Sequence, residues 1–177
     1  MSDRDVIIAE TSRLIIRHFS AADLESLAPI LANQKVMKFS LKGAKTKAET
    51  QIFIEKILAD YQTKGCGLYA VIFRENMQLI GFCGLFFWPS IAGKEEVEIG
   101  YRFDPNYWGR GLATEAAKAV RDYAFTKFNF TSLISLIEPA NIASIRVAEK
   151  NGMKYEKDDN FLGILARIYR IFKEKEN

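Results

Sequence analysis

Apolar positions alternate between two spacings along this chain. From Thr11 to His18 they fall on every second residue around Leu14 and Ile16, which predicts a first, half-buried strand. Ser20-Ala21-Ala22-Asp23 reads as a capping box, and Leu24, Leu27, Ile30 and Leu31 follow at helical spacing, predicting a helix to about Asn33. Val36 to Lys45 has neither period and suits a substrate loop. Thr46-Lys47-Ala48-Glu49 opens a second helix, carried by Ile52, Phe53, Ile57 and Tyr61 until Gly65 stops it. Leu68 to Phe73 and Leu79 to Phe87 read as strands joined by a turn at Glu75-Asn76, with Trp88 to Lys94 a loop because Pro89 breaks the ladder. Glu96 to Phe103 is a further strand, rich in β-branched and aromatic residues. Ala113 to Phe128 is a helix with Ala116, Ala117, Val120, Ala124 and Phe128 on one face. Leu133 to Ile137 is a strand, Asn141 caps a helix over 142–150 that Asn151-Gly152 ends, and Met153 to Tyr155 and Ile164 to Phe172 are closing strands. The expectation is an α+β (mixed α/β) chain forming a single domain over residues 1–177, without repeats or linker.

Composition narrows the classes. A chain of 177 residues, 49% hydrophobic and 27% charged, fits one soluble globular domain that buries roughly 70% of its unfolded surface. A net charge of +3, with scattered basic residues, suits a phosphate-bearing ligand and is too small to argue for nucleic acid. No apolar run has the length of a membrane span, and Met1 to Asp5 is too polar for a signal peptide, so a cytoplasmic location is expected. Cys66 and Cys83 have no metal-like spacing, and a single His18 excludes a multi-histidine metal site; no metal is expected. His18 sits where strand meets loop and reads as structural.

The sharpest local signal is the turn Tyr107-Trp108-Gly109-Arg110-Gly111-Leu112-Ala113-Thr114-Glu115 between strand and helix. Two glycines let main chain approach a ligand closely, and the free N–H groups opening the helix attract an anion such as phosphate or pyrophosphate. A P-loop enzyme is excluded, because no Gly-x-x-x-x-Gly-Lys-Ser/Thr is present. A Rossmann turn is excluded by the missing third glycine and by the turn's late position.

The order of elements and four motifs resemble the GNAT superfamily of acyl-CoA-dependent N-acetyltransferases, and within it the RimJ/RimL branch of ribosomal-protein N-terminal acetyltransferases. The motifs are Glu10-Thr11-Ser12-Arg13-Leu14-Ile15-Ile16-Arg17, Glu98-Ile99-Gly100-Tyr101, Tyr107 to Ala116, and Asn141 to Met153. The resemblance implies a central, mostly antiparallel twisted sheet of about seven strands, splayed between the fourth and fifth, with about four helices. It implies acetyl-CoA as co-substrate, its pyrophosphate held by the main chain of Gly109, Arg110, Gly111, Leu112, Ala113 and Thr114. Trp108 stands where the family usually has Gln or Arg, which removes one polar contact and leaves the cradle. The strand backbone at Tyr101, Arg102 and Phe103 would pair with the pantetheine arm, faced by Asn141 and Ser144 from the other side. Asn141 also reads as a plain helix cap, and Arg110 is placed for the 3′-phosphate or diphosphate.

Acetyl transfer to an amine needs a neutral nucleophile, donors for the oxyanion and stabilisation of the departing thiolate. Strand alternation puts Glu96 and Glu98 on one face, so Glu98 is the expected base, with Glu96 and Glu138 in reserve; a solvated face is the bland alternative. The wider family places a Tyr seven residues after the Asn, and this chain has Ala148 there. Ser144 is therefore the expected leaving-group partner, with Tyr155 and Tyr169 as alternatives. An N–H near Phe103 could serve the oxyanion. A covalent route through Cys66 or Cys83 lacks a histidine partner. An α-amine of pKa about 8 is roughly one-tenth neutral at pH 7, far more than a lysine near 10.4, so a site without a strong base favours a protein N-terminus. A small amine (amino acid, polyamine, aminoglycoside) and a non-catalytic acyl-CoA-binding module are the competing readings. The expected state is monomer or homodimer. Phe82, Phe86, Phe87 and Trp88 read chiefly as core, with the last two near a strand end where a pocket could open.

Overall fold

The computed structural model describes residues 6–174; the polar start Met1 to Asp5 lies outside them. In chain order the elements are β1 Ile7–Glu10, β2 Leu14–Arg17, α1 Leu24–Ala32, α2 Lys47–Lys64, β3 Leu68–Phe73, β4 Gln78–Ile91, β5 Lys94–Phe103, α3 Leu112–Lys127, β6 Ser132–Ile137, α4 Ile142–Lys150, β7 Lys154–Phe161 and β8 Ile164–Phe172. They build one sheet in the order β1-β2-β3-β4-β5-β6-β8-β7, antiparallel except where β5 meets β6. The expected splay between the strands holding Phe103 and Ile137 therefore lies between the fifth and sixth strands.

The sheet has eight strands because the single N-terminal strand expected is two. Thr11 Oγ1 accepts from the amides of Arg13 and Leu14 at 3.3 and 2.9 Å, closing a turn between β1 and β2. Two further elements run longer than their sequence suggests. Strand β4 continues through Trp88 to Ile91 where a loop was expected, and Pro89 sits at a register shift between Trp88 and Ile91, where a missing N–H breaks no ladder bond. Ala92 (φ 49°) and Gly93 (φ 87°) then make the tight reversal into β5. Strand β7 extends to Phe161 through the mostly exposed run Glu156 to Asn160, which has no apolar alternation to announce it. The capping box at Thr46 forms as read: Thr46 N donates to Glu49 Oε2 at 2.7 Å and Glu49 N to Thr46 Oγ1 at 3.2 Å. Gly65 ends α2 in the left-handed conformation, φ 74°.

Helices cover both faces of the sheet. Phe53 of α2 packs on Phe82 of β4 (5.6 Å), while Tyr123 of α3 meets the ring edge of Tyr69 on β3 (6.0 Å), one residue out of phase. One core joins β2–β5 to α1, α2 and α3. A second, of Ile137, Ile145, Ala148, Met153 and Tyr169, seats α4 on β6 and β8.

Candidate active site

Strand β5 presents different chemistry to its two faces. Glu98, Gly100 and Arg102 stand opposite Phe86, Gly84 and Phe82 of β4, so all six share one face, and Tyr101 lies on the other. Main-chain groups of odd-numbered residues point toward β6: Ser135 Oγ donates to Ile99 O at 3.0 Å, and the Trp108 indole donates to Phe103 O at 2.8 Å. The two strands share a single register pair, Glu98 with Ile134, and part beyond it. A cavity of about 280 Å³ opens there. It touches Glu98 and Arg102 on one face and Tyr101, Asn141 and Ser144 on the other, so it passes through the sheet.

On the first face the Glu98 carboxylate is fixed by two donors, the Trp88 indole Nε1 at 2.7 Å and the Leu136 amide at 3.2 Å. Burial raises its pKa, and those bonds and the Arg102 charge offset only part of the rise, so the group titrates above the ordinary carboxylate range. Arg102 is itself held, donating to Tyr101 O at 2.7 Å and to Phe39 O at 3.4 Å in the α1–α2 loop. Phe82, Phe86 and Trp88 line the cavity rather than serving the core alone, while Phe87 faces away beneath Lys64. Glu138 lines the same cavity. Glu96, the other reserve base, is buried and bonded to Arg170 at 2.6 and 2.9 Å, with Lys94 at 3.0 Å, which takes it out of the site.

On the second face Tyr101 and Ser144 both line the cavity, and burial pushes the Tyr101 phenol's pKa up to about 12. Asn141 caps α4, its Oδ1 accepting from Ser144 N at 3.3 Å. Gly109 (φ 72°) and Gly111 (φ 76°) are both left-handed, where a Cβ is strained. No side chain caps α3, and its first intrahelical bond is Glu115 N to Gly111 O, which leaves the amides of Leu112, Ala113 and Thr114 pointing out of the helix end. The turn is clamped from β2's side: Glu115 accepts from Thr11 Oγ1 at 2.5 Å and Arg13 Nε at 2.7 Å, and Arg13 Nη1 donates to Arg110 O at 2.9 Å. Arg110 lays its guanidinium over the Phe73 ring, 4.8 Å from the centroid, and near Tyr107 at 5.5 Å. Free amides, positive φ and an absent cap are what a diphosphate requires, and the residues present fit coenzyme A.

The sequence reading missed the Trp88–Glu98 bond and the Tyr101 side chain, taking Tyr101 for its backbone alone. Tyr155 is half-exposed and Tyr169 lies in the α4 core, away from the cavity. Both thiols are buried, Cys66 raised to about 11 and Cys83 raised further, which suppresses the thiolate a covalent route needs. His18 stacks on Tyr61 at 3.9 Å, as a structural residue would. Among the described residues no group of three or more His, Cys, Asp or Glu could hold a metal ion, and no helix is long and apolar enough to cross a membrane.

Residues 13–154 match the acetyltransferase (GNAT) domain family. An uncharacterised N-acetyltransferase of Bacillus subtilis (strain 168), YnaD, is 34% identical over 146 residues, covering 82% of each chain. The spermidine N(1)-acetyltransferase of Escherichia coli (strain K12) is 40% identical over 52 residues, 29% of this chain and 28% of that one. RimL, a ribosomal L7/L12 alpha-N-protein acetyltransferase solved in complex with coenzyme A, superposes with a TM-score of 0.78 at 17% identity over 94% of this chain and 97% of that one, a likeness of fold. With the domain match running from β2 through α4, across the open helix end and the parted strands, this chain belongs to the GNAT family and is an N-acetyltransferase.

Proposed function

We propose that the protein moves an acetyl group from acetyl-CoA directly to a primary amine, and that the amine is the α-amine at the N-terminus of a protein or peptide. The supporting observations are a cavity lined from both faces of the sheet, with the Glu98 carboxylate held in it, and an α3 start that no side chain caps. The amides of Gly109 to Thr114 receive the diphosphate, with Trp108 fixing the end of β5. The backbone of Tyr101 to Phe103 lies along the pantetheine arm, and Asn141 and Ser144 bound that arm from α4. The arm supplies the thioester at the gap.

In the transfer, Glu98 accepts a proton from the incoming amine as its nitrogen attacks the thioester carbon, an N–C bond forms and the C–S bond breaks. An amide of β5 near Phe103 donates to the oxyanion. A hydroxyl lining the cavity, of Tyr101 or Ser144, donates a hydrogen bond to the thiolate; a phenol titrating near 12 keeps its proton at neutral pH and acts as a donor rather than a ready acid. A single carboxylate suits an acceptor that already loses its proton near pH 8 better than a lysine. Spermidine is the second reading, favoured by the 52-residue likeness to the E. coli enzyme.

The test mixes purified protein with acetyl-CoA, a thiol reagent and a panel of free-N-terminus peptides, the same peptides blocked but carrying lysine, and spermidine. Thiol release with acetyl gained at the free N-terminus is expected. Turnover confined to lysine or spermidine overturns the α-amine assignment, and cofactor binding without turnover on any amine favours a sensor.

A further inference from the structure

We infer that the residue bearing the acceptor amine has a large apolar side chain, which sits on an aromatic floor beside Glu98. This rests on the α-amine reading above. The floor exists because position 100 is glycine: a Cβ there would stand 2.5 Å from the Phe86 ring, so the ring occupies the place of a side chain between Glu98 and Arg102. Trp88 stacks against Phe86 (6.3 Å, 19°), Phe161 meets Trp88 edge-on (4.8 Å), and Phe39 closes the cavity from the α1–α2 loop. The Arg102 bond to Phe39 O ties that loop to the floor.

The charges around this space argue against a polycation. Glu98 and Glu138 face it, and so do Arg102, Lys42 and Lys45. With Glu98 engaged by the reacting amine, Glu138 alone would remain for further ammonium groups, against three cations. An acceptor with one amine, an apolar side chain and a carbonyl or carboxylate directed to those cations uses Glu98, the rings and the cations. A glycine acceptor leaves the rings facing water, a loss of apolar burial.

The experiment measures kcat/KM by thiol release for phenylalanyl-alanine amide, leucyl-alanine amide, glycyl-alanine amide, free phenylalanine and spermidine. The phenylalanyl and leucyl amides should exceed the glycyl amide by about 30-fold, the worth of one well-buried apolar side chain. Equal rates, or glycine the fastest, overturn the inference and leave the α-amine reading standing. Spermidine as the sole acceptor overturns both. Free phenylalanine reacting faster than its amide keeps the apolar pocket but makes the source a free amino acid. In Phe39→Ala, which keeps the carbonyl that Arg102 holds, the phenylalanyl-to-glycyl ratio should contract several-fold while coenzyme A affinity is retained. An unchanged ratio in that folded variant overturns the pocket.

Discussion

At the scale of single residues, the proposed chemistry turns on how Glu98 is held. Burial alone pushes the Glu98 pKa up, and the indole and amide donors offset part of that rise. Trp88→Phe retains a ring against Phe86 and Phe161 and removes one donor to the charged form, so the Glu98 pKa should rise again. The acid limb of the kcat/KM profile, already above the usual carboxylate position near 4.3, should move to still higher pH. A uniform drop across the profile with no displacement would make Trp88 structural only. Glu98 itself was legible, because alternation along β5 needs no partner strand. Its donors were not: Trp88 and Leu136 reach it across ladders, and pairing between strands leaves no mark in the local pattern. Ser144 was legible as the start of a helix, while its sharing a cavity with Tyr101 depended on where α4 lies against the sheet.

At the scale of elements, the diphosphate site proposed at the start of α3 is made of main chain. Its glycines announce it in sequence since left-handed φ is cheap only for glycine. Gly111→Asp would strain the turn by about 1–2 kcal/mol and set a negative charge among amides that face an anion. Coenzyme A affinity by calorimetry should fall at least tenfold, and an unchanged affinity would remove the cradle assignment. The clamp on that turn was half visible: Arg13 and Glu115 stand in the motifs, and only the fold brings them to 2.5 Å. Element ends were the least legible feature. Pro89 argued for a loop, but at a bulge its missing N–H costs nothing, and β7 is a strand by virtue of β8 beside it rather than by its own polar sequence.

At the scale of the molecule, a sheet that parts between β5 and β6 must be held together elsewhere. Arg170 on β8 does this, reaching past β6 to bond Glu96 on β5 and also Ser132, with Glu156 of β7 as a third partner. Burial would raise the Glu96 pKa, yet hydrogen bonds from Arg170 and Lys94 outweigh it and hold the group below its ordinary value. The stability it contributes is therefore present above the unfolded pKa, near 4.3, and lost as the pH falls through the lower folded value. Arg170→Met leaves the buried Glu96 with Lys94 as its remaining cation and should cost about 1–3 kcal/mol at neutral pH in urea unfolding. The variant should also lose this part of the acid dependence; a loss under 1 kcal/mol would place the clamp elsewhere.

A cavity lined from both faces of the sheet also bears on traffic after the bond is made. Under the proposed function, the spent carrier would withdraw on the α4 side and the acylated product beneath the α1–α2 loop, so neither would have to wait for the other to clear the threshold.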